Sequence, residues 1–302
     1  MNVEEILEKL KFVPYEELER VDFSKQPLSQ QLRAFAEGSE HIKVLAHEAI
    51  NPILSGALVT GSTDREKAIV GCYYRAYAWM ETLAFLKEPI HFQAVASGAR
   101  SIFEFYVDLK LILKDGTGRS VERFHAFTTV ERFRAAKKIV EFADANPTFK
   151  VPCVHQRNLV QTPGKGKEID ALVIKLWGLN GKRKPNFPKY HWTGLDLASR
   201  IIGLDREVER IYNEEYPRLS WYIHSGSVGY AGLDKEALQA CFCMSHIIAQ
   251  RLFLKIAEII AEEMKIIKAV GQLKEAFGEA RLVPGLFLLR GQFGINASSP
   301  PN

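Results

Sequence analysis

The chain has 302 residues, of which 47% are hydrophobic and 25% charged, with a formal net charge of +4 at pH 7. This composition is ordinary for a globular protein with a sizeable core and argues against a disordered chain. No apolar run is expected to reach the roughly 18 residues needed to span a bilayer, and the acidic N-terminus does not resemble a signal peptide. These features predict a cytoplasmic protein without a membrane partner.

Apolar residues recur with helical spacing along the chain, and no alternation is long enough to predict a sheet. Residues 1–26 predict two short amphipathic helices, broken at Pro14, that form a small N-terminal arm. Residues 27–270 predict a helical bundle domain, and residues 271–302 a C-terminal tail. The predicted fold is therefore all-α, a multi-helix bundle with a small N-terminal helical arm.

Within the bundle, Ser62 or Thr63 is predicted to cap a helix that runs to about residue 87. Helices are predicted next over residues 91–114 and 121–144, with Ser120 as the cap of the second. Three prolines between residues 146 and 167 predict a long excursion from the core. A short helix follows over residues 168–177, and the longest helix is predicted over residues 234–270.

Charge on the helix over residues 91–114 is confined to one stripe, because Arg100, Glu104 and Asp108 recur every fourth residue. One interpretation is that this stripe faces water and holds an ordinary ion pair. The other is that the helix is central, so that its charges pair inside the bundle. The polar stripe around Tyr216 is then the expected partner.

The most basic stretch, GKRKPNFPKYHW over residues 181–192, interleaves cations with aromatic rings. Cations can contact phosphates and rings can stack on bases, so this loop is a candidate RNA-facing surface. A basic loop that serves solubility alone is the alternative. With Arg100, the predicted substrate-binding residues are Lys182, Arg183, Lys184, Lys189, Tyr190 and Trp192.

The densest group of reactive side chains lies between residues 205 and 232, where Tyr212, Tyr216, Ser220 and His224 recur every fourth residue. Pro217 lacks an N–H group, which predicts a kink or a new helix start with Arg218 in its first turn.

The chain has no phosphate-binding loop, nucleophile elbow or zinc-protease signature. The absence of these motifs argues against nucleotide hydrolysis on a phosphate-binding loop and against zinc-protease chemistry. Cys241, Cys243 and His246 point in divergent directions on one helix, which favours packing over metal binding. The four cysteines form no C-x-x-C pair, which predicts buried, reduced thiols. No metal or cofactor is predicted.

Two E-x-x-H matches, Glu88 to His91 and Glu122 to His125, are reminiscent of di-iron bundles. Pro89 splits the first match. Too few residues separate Glu88 from Glu104 for them to lie on two antiparallel helices joined by a turn, which argues against a di-iron site.

Arg218 and His224 form a pair suited to RNA chemistry. A neutral imidazole takes a proton from a ribose 2′-hydroxyl or returns one to a 5′-oxygen, while a guanidinium stabilises the phosphate. Ser220 and His224 could also form a nucleophilic pair, but no orienting acid or oxyanion loop accompanies them.

Three segments of the chain resemble a bacterial family of unknown function: ARSIFEFYVDLKLIL at 99–113, HWTGLDLASR at 191–200 and YPRLSWYIHSGS at 216–227. The Arg-x5-His element on a helical bundle also resembles the HEPN superfamily, which includes metal-independent ribonucleases of toxin-antitoxin and antiphage systems. The resemblance implies a homodimer in which Arg218 and His224 are catalytic and Glu104 is a supporting acid. The position after the arginine, polar in active members, is Leu219 here.

The sequence thus predicts a cytoplasmic homodimer that cleaves or binds RNA, with Ser220 and Tyr216 as positioning groups and an antitoxin or defence partner. The alternative is a non-catalytic scaffold or sensor. In that case Arg100, Glu104, Tyr216, Ser220 and His224 form a buried polar network that sets helix register.

Overall fold

The protein is all-α. The computed structural model describes residues 63–148, 151–223 and 235–264. In the N-terminal part it describes residues 29, 32–33, 35–40, 42–44 and 46–47, and these N-terminal residues are helical. In these described residues the regular elements are helices, and pairing of extended backbone is limited to an isolated bridge between Leu179 and Pro185. This confirms the predicted multi-helix bundle.

Nine labelled helices follow in chain order within residues 63–264, of which residues 149–150 and 224–234 are not described. They are α1 Asp64–Phe85, α2 Phe92–Lys114, α3 Arg119–Ala145, α4 Val154–Gln161, α5 Lys165–Trp177, α6 Leu197–Ile201, α7 Arg206–Glu214, α8 Tyr216–Ile223 and α9 Lys235–Glu263. A single 3-10 turn, Pro89–His91, precedes α2.

The start of α1 is set by a capping box, as predicted. The Glu66 N–H donates to the Thr63 hydroxyl at 3.2 Å, and the Thr63 N–H donates to the Glu66 carboxylate at 2.7 Å. These two bonds satisfy backbone donors that have no partner inside the helix.

The start of α3 differs from the prediction. Ser120 lies inside the helix, and the Asp115 carboxylate accepts the Ser120 N–H together with the N–H and hydroxyl of Thr117. The Thr117 hydroxyl and these N–H groups hold the pKa of Asp115 well below its usual range, against a smaller opposing effect of burial. Capping therefore comes from the turn before the helix.

The predicted long excursion between residues 146 and 167 is wrong, because α4 forms inside it and α5 begins at Lys165. Pro152 and Pro163 lie just outside α4, where a missing N–H group costs nothing. Gly164, with φ of 78°, makes the turn into α5 in a left-handed conformation that suits glycine. The prolines mark the limits of a short helix.

The chain divides into two compact units. Unit 1 contains Ile69–Leu109 and the described residues before 63 and after 204, whereas unit 2 contains Thr63–Ala68 and Lys110–Leu204. The predicted domain boundaries near residues 27 and 270 lie outside the described residues, as do the predicted arm and tail.

The core of unit 1 is built from α2, α9 and most of α1. Its largest fully buried side chains are Ile69, Tyr73, Met80, Leu83, Ile102, Phe103, Tyr106, Leu109, Phe242 and Phe253. The ring of Tyr73 stacks on that of Phe253 with centroids 5.6 Å apart, which joins α1 to α9. Tyr73 is therefore a core residue of α1, whereas Phe85 at the end of the same helix is 74% exposed.

One stretch of α9, Leu238–Glu263, is apolar and long enough to cross a membrane. This differs from the expectation that no apolar run reaches that length. Of the most apolar 18 residues of this stretch, 67% are buried inside the protein. A central core helix passes the same test, so the stretch is weak evidence for a membrane span.

Unit 2 is organised around α3, against which α4 and α5 pack. Val130 of α3 and Ile169 and Val173 of α5 are fully buried, with Phe133, Leu172, Trp177 and Phe187 packed around them. Phe187 thus attaches the middle of the basic stretch to this cluster.

Candidate functional site

The break predicted at Pro217 is present: α7 ends at Glu214 and α8 begins at Tyr216. Glu215 lies at the junction and accepts two hydrogen bonds from Arg251, at 2.8 and 2.6 Å, and one from Arg210 at 3.1 Å. Both bonds from Arg251 come from Nη2, so one nitrogen is shared by the two carboxylate oxygens, and charge-assisted bonds of this kind are stronger than neutral ones. The direction in which α8 starts is thus set by contacts with α7 and α9.

Tyr216 connects this helix start to the charged stripe of α2. Its hydroxyl donates to Glu104 Oε1 at 3.1 Å, and the same oxygen accepts from Arg100 Nε at 3.1 Å. The Arg100 guanidinium also lies 5.2 Å from the centroid of the Tyr216 ring. Burial, and then the negative charge of Glu104, raises the pKa of Tyr216 to about 12.

The predicted pairing of this stripe with the stripe around Tyr216 is therefore present at Glu104, on a carboxylate that is partly exposed. The side chains of Arg100 and Glu104 are 28% and 31% exposed, and Asp108 is buried. An i,i+4 pair between Arg100 and Glu104 exists as the simpler interpretation predicted, but it is shared with a phenol from another helix.

Arg218, in the first turn of α8, is exposed, and within the described part of the chain no ion pair engages its guanidinium. The next residue, Leu219, is buried in the core of unit 1, which explains an apolar side chain at that position. Ser220 is half-buried one turn after Tyr216, and its hydroxyl opposes the rise in the phenol pKa. His224 lies outside the described residues, so its role stays a prediction.

The basic stretch forms an ordered loop in unit 2, named here the basic loop and comprising residues 181–192. The backbone N–H groups of Lys182 and Lys184 donate to the Asn180 side-chain oxygen at 2.9 and 3.2 Å. The Arg134 guanidinium donates to the Pro188 carbonyl at 3.0 Å. The loop is thus tied to α3 and to Asn180, three residues after the end of α5.

Aromatic residues of the basic loop divide into two kinds. The Tyr190 side chain is 92% exposed, whereas Trp192 is only 4% exposed and packs edge to face on Phe124. The Trp177 indole N–H donates to the Trp192 carbonyl at 2.8 Å. The prediction that Trp192 faces a ligand is therefore wrong, because its ring is part of the core, and Tyr190 is left as the presented ring.

The four predicted cations of this loop, Lys182, Arg183, Lys184 and Lys189, are all exposed. Arg183 and Tyr190 have positive φ angles of 55° and 61°. Side chains other than glycine, asparagine and aspartate rarely adopt this region, and such outliers concentrate at functional sites. Sequence alone did not indicate this backbone strain.

A groove of about 670 Å³ in unit 2, which sequence reasoning missed, is lined by the starts of α1 and α3 and by the end of α5. His125 Nε2 donates to the Asp64 carbonyl at 2.8 Å, and Glu122 lies 3.8 Å from Lys175 Nζ. The second E-x-x-H match is thus engaged in contacts between helices. No local motif could have revealed the groove, since its residues extend from 64 to 176.

The first E-x-x-H match also has a structural role. The Glu88 N–H donates to His91 Nδ1 at 3.3 Å within a capping box at the 3-10 turn. Among the described residues, no cluster of three or more His, Cys, Asp or Glu side chains is arranged to hold a metal ion.

The cysteines and His246 are core residues. All four cysteines are free and buried, and burial raises the pKa of the Cys243 thiol to about 12. His246 Nε2 lies 3.3 Å from the Leu86 carbonyl and so donates to it, while Nδ1 accepts from the Ser39 hydroxyl at 3.0 Å. The interpretation of His246 as a packing residue is confirmed.

Comparison with known families adds one match. The model of a family of unknown function, DUF5677, matches residues 66–236. The chain belongs to this family. The three segments that suggested a family of unknown function all lie inside the residues that DUF5677 covers.

The residues that match DUF5677 include α2, α8 and the basic loop. No curated protein and no solved structure matches the chain significantly.

Proposed function

We propose that this DUF5677 protein binds and cleaves RNA without a metal ion, with Arg218 as the phosphate-binding cation and His224 as the general acid and base. The observation that carries the proposal is the exposed Arg218 guanidinium, which no ion pair engages within the described residues. A charged group left exposed on a helix whose start is anchored by Tyr216 is available for a phosphate.

In the proposed reaction, the neutral His224 imidazole takes the proton of a ribose 2′-hydroxyl, whose oxygen attacks the adjacent phosphorus. The bond from phosphorus to the 5′-oxygen breaks, and the imidazolium returns the proton to that oxygen. The products are a 2′,3′-cyclic phosphate and a 5′-hydroxyl. Arg218 stabilises the charge that develops on the phosphate oxygens.

The other residues of the site act as positioning residues in this proposal. Glu104 is already engaged by Arg100 and Tyr216, so it orients the start of α8 instead of contacting substrate. Ser220 supports the Tyr216 phenol one turn later. The HEPN resemblance supports a cytoplasmic homodimer in a toxin-antitoxin or antiphage system, which remains part of the proposal.

The test is cleavage of labelled single-stranded RNA in excess EDTA by the wild type and by Arg218→Ala and His224→Ala variants of equal thermal stability. Each substitution is expected to lower the rate by at least about 100-fold. Arg206→Ala, which removes another exposed arginine from unit 1, is the matched control and should retain the wild-type rate. A 2′-deoxy group at the cleaved nucleotide should block the reaction.

Equal cleavage by the wild type and His224→Ala, or cleavage by neither, removes the catalytic proposal. Products with a 3′-hydroxyl in place of a cyclic phosphate would also contradict it, because they require a nucleophile other than the 2′-oxygen.

A second candidate function is a non-catalytic scaffold or sensor, and the Arg100, Glu104 and Tyr216 network favours it. A carboxylate shared by two partners from α2 and α8 is suited to fixing helix register. In that case Glu104→Gln should loosen the fold while Arg218→Ala changes neither stability nor RNA degradation.

A further inference from the structure

We infer that the basic loop binds an unpaired stretch of nucleic acid, with Tyr190 as a stacking platform for a base and the surrounding cations as contacts for the flanking phosphates. The inference deepens the proposed function, on which it rests for RNA as the ligand. It concerns unit 2 alone and does not involve Arg218 or His224.

The first argument is the way in which Tyr190 is presented. Its φ of 61° lies in the left-handed region, and its side chain is 92% exposed. Anchors lie on both sides, because the Pro188 carbonyl accepts from Arg134 and Trp192 is buried. The loop thus exposes a large aromatic ring to water at a residue with a rare backbone conformation. Packing does not explain this arrangement, because an exposed ring gains no burial energy to offset the backbone strain.

The second argument is the charge around the ring. Residues 179–192 contain four cations and no Asp or Glu. Within the described part of the chain, none of Lys182, Arg183, Lys184 and Lys189 has an ion-pair partner, and all are exposed. Exposed cations and an exposed aromatic ring in one loop are the features by which proteins bind single-stranded nucleic acids.

The third argument is rigidity. The Arg183 N–H donates to the Asn180 carbonyl at 2.9 Å, and the Asn180 side chain accepts from the two neighbouring lysine N–H groups. An isolated bridge between Leu179 and Pro185 closes the turn. Because the backbone is fixed before binding, less conformational entropy is lost when a strand docks.

Unpaired nucleic acid fits these features better than other polyanions. A duplex keeps its base faces stacked inside, where a single protruding ring cannot reach them. A membrane surface would favour several apolar side chains able to insert, but Phe187 packs against the core cluster of unit 2 and Trp192 is buried. An acidic peptide needs the cations but not the ring.

The test is fluorescence anisotropy with the full chain and a short 2′-O-methylated single strand, which cannot be cleaved, beside the corresponding duplex. Tyr190→Asn removes the ring and suits the left-handed backbone, so the fold should persist. It is expected to weaken single-strand binding about 5- to 100-fold, whereas Tyr190→Phe keeps the affinity. Leu195→Asn removes another exposed apolar side chain of unit 2 and is the matched control.

The cations are tested through salt dependence. Replacing Lys182, Arg183 and Lys184 together by Ala should reduce the slope of log affinity against log salt by about 2. This change should occur for single strands of any sequence, because phosphate contacts carry no sequence information.

Equal affinity for single strand and duplex, or no effect of Tyr190→Asn, overturns the inference. Tyr190-dependent binding to anionic phosphatidylserine vesicles, or equal binding of polyglutamate, would assign the surface to another polyanion and overturn it as well. Failure of the proposed function is distinguishable: absent cleavage with Tyr190-dependent strand binding removes the nuclease alone, and cleavage without Tyr190 dependence removes this inference alone.

Discussion

The surroundings of His246 in unit 1 and the basic loop of unit 2 both combine polar and aromatic side chains. These side chains are buried and hydrogen-bonded around His246, whereas most of them are exposed in the basic loop. His246 is fully buried, and both of its ring nitrogens have hydrogen-bond partners. Gln250 extends the network by donating to the Ser39 hydroxyl at 2.9 Å and to the Phe35 carbonyl at 2.7 Å. In the basic loop, the cations are exposed and unpaired among the described residues, and Tyr190 is strained.

The difference teaches where function should be sought. A buried polar group that is fully hydrogen-bonded stabilises one arrangement of helices and has no capacity left for a ligand. An exposed group with no partner in the described structure adds little to stability and has that capacity. The predictions below treat the first region as structural and the second as functional.

The largest effect is expected from His246→Ala, which removes the donor to the Leu86 carbonyl and the acceptor of the Ser39 hydroxyl, although Ser39 keeps its bond from Gln250. Together with the cavity, this should lower the free energy of unfolding by about 3 kcal/mol. Urea denaturation at neutral pH measures it. A loss below about 1 kcal/mol would show that the network is dispensable.

The pH dependence sharpens the same prediction. Burial lowers the pKa of His246 from 6.5 to about 4, against a smaller opposing effect of the Leu86 carbonyl. Below pH 6.5 the unfolded chain binds a proton that the folded chain does not, so stability falls as the pH falls towards 4. His246→Gln, which can donate and accept in the same place, should lack this component of the pH dependence.

A smaller effect is expected from Tyr216→Phe, which removes the hydrogen bond to the half-exposed Glu104. The free energy of unfolding should fall by about 1 kcal/mol at pH 8. Because the folded pKa of Tyr216 is raised to about 12, its contribution is complete below pH 10 and is lost as the pH rises towards 12. The difference between wild type and variant should therefore shrink in alkaline solution.

Tyr212→Phe is the matched control, since this ring stacks on Tyr216 with centroids 5.5 Å apart, and the change removes a phenol hydroxyl other than the one that donates to Glu104. An equal loss of stability in both variants would assign the effect to ring packing and not to the hydrogen bond.

The smallest effect on stability is expected from Arg183→Asn in the basic loop. The residue is exposed, and asparagine tolerates its φ of 55°, so the free energy of unfolding should change by less than about 0.5 kcal/mol. Thermal denaturation measures this, and single-strand affinity should fall in the same sample. Marked destabilisation would mean that the loop is a structural element, and the comparison between the two regions would fail.

Local chemistry explains which predictions from sequence were correct. A Thr and a Glu three residues apart specify a helix start, and a proline specifies a break, because the groups that decide each are neighbours in the chain. The capping box at Thr63 and the new helix at Tyr216 are of this kind. The pairing of Glu104 with Tyr216 was also predictable, since an interior charge needs a partner and few were offered.

Sequence by itself thus determined most of the helices, several of their ends and the residues worth testing. Only the tertiary structure decided which of two neighbouring rings, Tyr190 or Trp192, is exposed, that α4 forms among prolines, and that the chain divides into two units. The physical reason is that burial depends on side chains far apart in the chain, such as Phe124 packing on Trp192, and no local pattern encodes those contacts.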